Sequence, residues 1–237
     1  MYSKAIAGAV LALGLTISAA SAASLSVTSI SGEWTNIVPA SGITSVSPSE
    51  IRWGTSTGSG QSGYKFDAAG TPITPTEGVD FSLGEFTHFN NPITGTNLTS
   101  VDLKVTIGLD IGGTAETVIS TFSFLHDETP NSPTLENCKY PGSVTRCDDL
   151  VTATLNLSST QSFFLGGVEY VFTVSGFEVG GTTLASFLTA ENATNTAQLK
   201  AKYVTKESVE VIPLPAAGWL LLGGIAGLAA MRRKKAA

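Results

Sequence analysis

The sequence predicts an all-β protein, a jelly-roll-like antiparallel β-sandwich, between two terminal segments of different character. The central part of the chain is rich in Thr, Ser, Val and Gly, carries few charges, and alternates apolar with polar residues. Turn-forming pairs such as Gly112-Gly113 and Gly180-Gly181 separate the alternating segments. No helical period lies between them, which favours antiparallel strands over βαβ units.

The N-terminal segment, residues 1–22, has the pattern of a secretory signal peptide. Lys4 provides a positive start, residues 5–17 form an uncharged apolar run, and small residues follow up to Ala22. This run is too short to cross a bilayer core of about 30 Å as a helix. We therefore expect export, with cleavage after Ala22.

Residues 23–204 are predicted to form one β-domain. Its clearest strand covers residues 101–111, in which the apolar side chains share one face and Asp102, Lys104 and Asp110 lie on the other. The apolar face consists of Val101, Leu103, Val105, Ile107, Leu109 and Ile111. Further strands are predicted at residues 25–30, 33–38, 50–53, 64–67, 81–90, 117–125, 151–157, 170–177 and 198–204.

The predicted domain is strongly acidic. The chain has thirteen basic and nineteen acidic residues, and five of the basic residues but no acidic residue lie in the terminal segments. Eight basic residues then oppose nineteen acidic ones, a net charge of −11 for the exported body. This charge disfavours nucleic acid and anionic lipid as partners.

The C-terminal segment, residues 212–237, has the pattern of a membrane helix after a short stalk at residues 205–211. Residues 211–231 carry no charge, and Pro213 and Pro215 lie where the first helical turn tolerates proline. A basic cluster follows, made of Arg232, Arg233, Lys234 and Lys235. By the positive-inside rule this cluster stays cytoplasmic, which places the preceding domain on the other side of the membrane.

The two cysteines, Cys138 and Cys147, are close in sequence and lie in the exported part. In an oxidising compartment this spacing predicts a local disulfide that closes a loop. A metal site with two thiolates is the alternative, but no further cysteine or nearby histidine pair completes it.

Two polar segments are candidates for ligand binding. Around His88, alternation places His88 and Asn90 on one face of a strand, with Gly84 as a candidate bulge. These side chains fit either a metal or polar site or a structural tie between a strand end and a neighbouring loop. The second segment offers Asp127 and Glu128 as tentative Ca²⁺ ligands, helped by Glu191 and Asn192, although a capped turn is the competing interpretation.

The sequence gives a weak case for catalysis. No His-Glu-x-x-His motif and no phosphate loop of the Gly-x4-Gly-Lys-Ser/Thr type is present, and only two histidines, His88 and His126, are available. Neighbouring acids such as Asp148 and Asp149 would point apart on a strand, which does not imply glycosidase geometry. Trp53, before a flexible loop, is the tentative glycan-stacking residue, although aromatic residues of a sandwich more often belong to its core.

The C-terminal segment resembles the PEP-CTERM sorting tail in its VPLPA form. The resemblance rests on the motif Ile212, Pro213, Leu214, Pro215 and Ala216, the apolar run after it, and the basic cluster. Ile212 stands where that form has Val. The resemblance implies recognition and cleavage by an exosortase, a membrane-embedded protease of Gram-negative bacteria that make exopolysaccharide.

The body resembles the THxN family of such proteins, which is related to choice-of-anchor K domains. The similarity rests on Thr87, His88 and Asn90, on Arg52-Trp53-Gly54, and on the segment from Glu128 to Asn131. It implies a location but no established activity or cofactor.

Export, acidity and the missing catalytic set together predict a non-enzymatic cell-surface or extracellular-matrix protein that contributes to biofilm or exopolysaccharide structure. A carbohydrate-binding module, with or without Ca²⁺, is the alternative. A secreted hydrolase is a third class, which we expect only if the fold joins His88, His126 and an acid in one pocket.

Overall fold

The computed structural model describes residues 22–131, 134–144, 146–155 and 160–207. The predicted signal peptide up to residue 21, the sorting motif and the basic cluster lie outside the described residues. Within the described ranges, no helix has the length and apolar character needed to cross a membrane.

The described chain is all-β, as predicted, with fifteen strands and one short 3₁₀ helix (Leu135–Asn137). The strands are, in chain order, β1 (Leu25–Val38), β2 (Ile43–Ser47), β3 (Glu50–Trp53), β4 (Thr55–Ser56), β5 (Ser62–Ala68), β6 (Phe81–Asn90), β7 (Ile93–Thr94), β8 (Ser100–Ile111), β9 (Thr114–Asp127), β10 (Asp149–Leu155), β11 (Thr160–Leu165), β12 (Val168–Val179), β13 (Thr182–Thr183), β14 (Ser186–Thr189) and β15 (Ala193–Glu207).

Two antiparallel sheets enclose one core in a sandwich-like fold. The first sheet has the order β1-β8-β9-β10-β14, and the second has the order β11-β12-β15-β6-β5-β3-β2, with β13 paired to β12. Strands β4 and β7 form a separate two-stranded pair. Buried side chains from both sheets belong to the same apolar cluster.

Period-2 alternation determines which side chains enter this core. In β8, the six apolar residues predicted to share a face are all buried, and the residues between them are partly exposed. In β6, the predicted irregularity is present, because the pairing register with β15 shifts beside Gly84. After this shift, Phe86, His88 and Asn90 all point into the sandwich and are buried.

Aromatic rings fill the centre of the core. Phe86 of the second sheet and Phe124 of the first have ring centroids 5.0 Å apart, and Trp34 lies 5.3 Å from Phe124 in an edge-to-face arrangement. Tyr64 joins the group at 4.9 Å from Phe86. Such pairs stabilise a core beyond the area they bury, by about 0.5–1.5 kcal/mol each.

Several boundaries differ from the sequence expectations. The two strands predicted at 25–30 and 33–38 are one strand with two register shifts against β8. β15 continues to Glu207, so residues 205–207 are sheet and not stalk. Short strands such as β14 have too few residues for a visible alternation. Their pairing with longer neighbours holds them in the sheet.

The two sheets approach each other closely at Gly32 of β1. A β-carbon at Gly32 would lie 2.4 Å from a ring carbon of Phe66, which is fully buried. Strand propensity alone favours alanine over glycine. We expect Gly32→Ala instead to destabilise the protein by about 1–3 kcal/mol, because the buried Phe66 ring must shift to admit the β-carbon.

Denaturant unfolding monitored by tryptophan fluorescence measures this effect as a lower midpoint with an unchanged slope. Gly70→Ala is the matched control, since a β-carbon there meets no atom within 4 Å. Equal midpoints for the two variants would contradict the prediction.

Candidate functional site

One end of the sandwich gathers polar side chains from both sheets. The first sheet contributes His126 near the end of β9, Asp149 at the start of β10 and Thr189 at the end of β14. The pairing of the strands explains why these three residues are close together. Asp149 of β10 lies opposite Thr189 of β14, and the next residue, Leu150, lies opposite Asp127, which follows His126. These side chains lie at strand ends, where the apolar core gives way to the loops.

The second sheet contributes Trp53, Tyr64, His88 and Asn90. Tyr64 of β5 is directly opposite His88 of β6, and their rings meet edge to face at 5.0 Å. The Trp53 ring stacks on His88 at 5.9 Å and meets His126 edge to face at 5.3 Å. All four residues are fully buried, so aromatic rings form the floor of a polar site.

His126 has a polar atom near each ring nitrogen. The Tyr64 hydroxyl lies 2.7 Å from its Nδ1. Its Nε2 lies 3.2 Å from a carboxylate oxygen of Glu128 and 3.8 Å from Oδ2 of Asp149. Burial lowers the pKa of His126 to about 4, although the negative charge of Asp149 opposes this shift.

His88 and Asn90 tie the two sheets together through Thr189. Nδ1 of His88 lies 3.0 Å from the Thr189 hydroxyl, and the Asn90 amide donates to the Thr189 carbonyl at 2.9 Å. This is the structural role considered for the two side chains in the sequence. Burial, followed by the proximity of His126, lowers the pKa of His88 well below its ordinary value, so the ring is neutral at pH 7.

Three carboxylates crowd beside the histidines. Glu128, Asp149 and Glu191 each have an oxygen within 4.8 Å of the others. Burial raises the pKa of Glu128, and both burial and the charge of Glu128 raise that of Asp149. The same two causes raise the pKa of Glu191 to about 7. Removing like charges from water in this way is costly, and a cation would offset the cost.

Several buried polar atoms that have no hydrogen-bond partner among the described residues lie at the same place. They include Nε2 of His88, Oδ1 of Asn90 and Oδ2 of Asp149. An unsatisfied buried polar group costs about 1–3 kcal/mol, and folded proteins contain few of them. Their concentration in one cluster indicates a site that accepts a further group.

A cleft of about 330 Å³ opens beside this cluster. Its lining comprises Ile93, Asn97, Glu128, Thr129, Pro130 and Asn131. Glu128 lines the cleft and also contacts His126, so it connects the open space with the buried histidines.

The three segments that resemble family motifs meet here, although they are far apart in the chain. The Arg52 guanidinium lies 3.8 Å from the ring centroid of Phe89, which follows His88. A β-carbon on Gly54 would lie 2.4 Å from the side chain of Ile93, so glycine allows this cleft residue to pack against the Trp53-Gly54 turn. The third segment, from Glu128 to Asn131, lines the cleft.

Trp53 does not provide the surface expected for stacking on a glycan. Its side chain is 0% exposed, and Trp34 and Tyr64 are also buried. Alternation along β3 turns Trp53 into the core, where it packs against the two histidines. The suggestion of Trp53 as an exposed stacking platform is therefore wrong.

The structure also separates Asp127 from Glu128. Asp127 follows the inward-facing His126 on β9, so its side chain turns outward and bonds to Lys139 and Tyr140, which lower its pKa. Glu128 turns inward and lies close to Asp149 and Glu191. Glu191 is one of the two additional ligands that the sequence suggested. The paired metal ligands Asp127 and Glu128 are thus not brought together.

The predicted disulfide between Cys138 and Cys147 is present, in agreement with an oxidising compartment. It closes the loop that leads directly into Asp149. Thr129 holds the end of this loop, because its hydroxyl bonds to the Cys147 carbonyl and its N–H donates to Oδ1 of Asp149 at 2.7 Å. The disulfide loop therefore helps to fix one carboxylate of the site.

Sequence reasoning missed Asp149 and Thr189 as members of the site. The available signal for Asp149 was an acidic residue at the start of an apolar strand, which is an unusual place for a charge. Thr189 had no comparable signal, because nothing in its segment distinguishes it from other threonines. No known family model matches the chain, and no curated protein is significantly similar to it.

The Tyr64 hydroxyl gives a prediction specific to this cluster. Tyr64→Phe keeps the ring in the core but leaves Nδ1 of buried His126 without its 2.7 Å partner. We expect a loss of about 1–3 kcal/mol in the free energy of unfolding, measured by denaturant titration.

Tyr203→Phe is the matched control, because the Tyr203 hydroxyl has no hydrogen-bond partner in the described ranges and is partly exposed. A Tyr64→Phe protein as stable as this control would show that the hydroxyl contributes nothing to the site.

Proposed function

We propose that this chain is an exported protein of the cell surface or extracellular matrix, whose domain binds extracellular polysaccharide at the cleft between Asn97 and Asn131. The observation that carries the proposal is the cleft itself, next to a cluster of buried polar groups where three distant segments meet. The proposed role is non-enzymatic and contributes to biofilm structure.

The stability of a sandwich does not require such a cluster. Apolar side chains of similar size at His88 and Asp149 would avoid the cost of burying unpaired polar atoms. A structural tie accounts for Nδ1 of His88 and the amide of Asn90, but not for the unpaired atoms beside them.

The chemistry of the cleft suits a carbohydrate. The amides of Asn97 and Asn131 and the Glu128 carboxylate offer donors and acceptors for sugar hydroxyls, while Ile93 and Pro130 offer apolar surface for sugar C–H groups. The negative charge of the body disfavours strongly anionic polymers. The best candidates are therefore neutral or cationic polysaccharides.

Export is supported by the disulfide, by the acidic body and by the patterns at both termini. The proposal includes a jelly-roll-like sandwich, a C-terminal membrane helix, and sorting of the motif at residues 212–216 by an exosortase-type protease in a Gram-negative cell. The protein then passes through the inner membrane before reaching the surface or the medium.

A secreted hydrolase is the second candidate, because one specific observation favours it. His88, His126 and Asp149 form one buried group, which is the arrangement expected for that class. Release of new reducing ends from the polysaccharide by the purified protein would favour the hydrolase. Binding without such release favours the non-enzymatic role.

Intact-mass analysis of the protein recovered from the host cell surface and culture medium tests export and sorting. We expect an N-terminus at Ala23 and a C-terminus between Pro213 and Ala216, with any added mass identifying a new anchor. In the variant Pro213→Ala/Pro215→Ala we expect the basic cluster to remain on the chain. A mature protein that retains Lys235 would exclude processing at this motif.

Titration with extracellular polysaccharide purified from the host tests the cleft. We expect Asn97→Ala to weaken binding at least about tenfold, because Asn97 is exposed and lines the cleft, so its loss removes hydrogen bonds to the ligand without affecting the core.

Thr117→Ala serves as the control, since Thr117 is exposed on β9 ten residues before Asp127, roughly 30 Å along the strand. Equal affinities for parent, Asn97→Ala and Thr117→Ala would place any binding elsewhere.

A further inference from the structure

We propose that His88, His126, Asp149 and Glu128 bind one divalent transition-metal ion of the zinc class, with the two imidazole Nε2 atoms as its nitrogen ligands. This site adjoins the proposed polysaccharide cleft and shares Glu128 with it, but metal binding does not require that polysaccharide binds. Its ligands come from both sheets: His88 lies near the end of β6, His126 near the end of β9, and Asp149 at the start of β10. Glu128 directly follows β9.

The donor atoms are already close to the separations that such an ion requires. In a tetrahedral site with bonds of about 2.0–2.2 Å, neighbouring ligand atoms lie roughly 3.3–3.6 Å apart. His126 Nε2 is 3.2 Å from Glu128 and 3.8 Å from Asp149. The donors of His88, His126 and Asp149 all lie within 4.8 Å of one another. Glu128 adjoins this group through its contact with His126 and its proximity to Asp149.

Hydrogen bonding makes Nε2 of His88 available as a ligand. The Thr189 hydroxyl has one proton, which it can donate to the Asp149 carbonyl at 3.2 Å. With the proton placed there, the hydroxyl accepts from Nδ1–H of His88 at 3.0 Å. In that neutral tautomer Nε2 carries a lone pair, and this buried atom has no hydrogen-bond partner among the described residues. Metal-binding histidines are oriented in this way by a partner on the other nitrogen.

His126 has the corresponding arrangement on the other side of the cluster. Tyr64 lies 2.7 Å from Nδ1 and can either donate to it or accept from it. When Nδ1–H donates to the tyrosine oxygen, Nε2 is free to bind an ion between Glu128 and Asp149. Tyr64 and Thr189 are thus positioning residues for the two imidazole ligands.

Charge is the second argument for a cation. Glu128 and Asp149 are nine-tenths or more buried at their side chains, and Glu191 lies beside them. Among the described residues of this cluster no lysine or arginine forms an ion pair with Glu128 or Asp149. A divalent ion would neutralise two carboxylates and occupy the position faced by Oδ2 of Asp149, which otherwise has no hydrogen bond.

The mixed donor set favours a zinc-class ion over Ca²⁺. Ca²⁺ takes six to eight oxygen ligands, whereas imidazole nitrogen suits Zn²⁺ and its transition-metal neighbours. The carboxylates alone, Glu128, Asp149 and Glu191, form the set that Ca²⁺ would prefer. The two sets share Asp149 and Glu128, so the participation of the histidines decides between them.

Zn²⁺ titration of the purified mature protein, after removal of bound metal with a chelator, is the direct test. The chain has only two histidines, so the imidazole resonances in ¹H–¹⁵N spectra report this site alone. We expect one Zn²⁺ per chain, with both rings shifting together and each ring fixed with its proton on Nδ1. This measurement needs no variant and remains valid if a substitution prevents folding.

Variants then test each role by calorimetry. We expect Asp149→Asn, which keeps the size of the side chain, to weaken Zn²⁺ binding more than about 100-fold. Thr189→Val should weaken it about 10–100-fold, because His88 loses the partner that fixes its tautomer. Asp67→Asn is the matched control, since Asp67 is an exposed carboxylate paired with Lys65. We expect this variant to bind Zn²⁺ with the same affinity as the parent protein.

The proposal is overturned if Zn²⁺ fails to shift either histidine, or if Asp149→Asn binds Zn²⁺ as tightly as Asp67→Asn. It is also overturned if Ca²⁺ binds and shifts neither imidazole, which would assign the site to the three carboxylates. Polysaccharide binding by a protein that holds no metal would leave the proposed function intact, so the two proposals fail separately.

Discussion

Both histidines of the chain are buried between the sheets, and the arrangement of this end of the sandwich depends on how their ring nitrogens are satisfied. Thr189 is central because its hydroxyl contacts both Nδ1 of His88 and the Asp149 carbonyl, and its own carbonyl accepts from the Asn90 amide. One residue of the first sheet thereby fixes two side chains of the second. The two sheets could not shift relative to each other here without breaking several buried hydrogen bonds at once.

The apolar and polar parts of the interior have different roles. Aromatic packing around Phe86 and Phe124 stabilises the sandwich, while the cluster beside it concentrates carboxylates and unpaired polar atoms. The second arrangement costs stability, and the core makes that cost tolerable. The disulfide loop contributes by holding Asp149 through Thr129. A rigid scaffold that carries a costly polar group at one end is the usual construction of a binding site.

Exposure outside the cell would explain features that are otherwise unrelated. A small loop closed by a disulfide persists under oxidising conditions, and an acidic body stays soluble without binding anionic surfaces. A cleft with exposed Asn97 and Asn131 is accessible to a polymer that could not enter a closed cavity.

The alternation of apolar and polar residues along the sequence was sufficient to predict much of the fold, but little of the candidate site. Alternation predicted the buried face of β8, the common face of His88 and Asn90, and the bulge at Gly84, because side-chain direction in a strand follows from a period of two. Proximity in sequence likewise predicted the disulfide.

The same local reasoning misplaced two site residues. It placed Trp53 at a rim from its neighbouring loop, and it paired Asp127 with Glu128 because they are adjacent, whereas the structure buries Trp53 and turns Asp127 outward.

The sequence by itself determined most of the longer strands and, in β8, the face that is buried, since these properties depend on neighbours along the chain. Only the tertiary structure decided that Tyr64 meets His126, 62 residues away, and that His88 meets Thr189, 101 residues away. Such contacts depend on the order of strands in two sheets and on how the sheets face each other. No short segment contains that information, because it arises when the whole chain buries its apolar faces together.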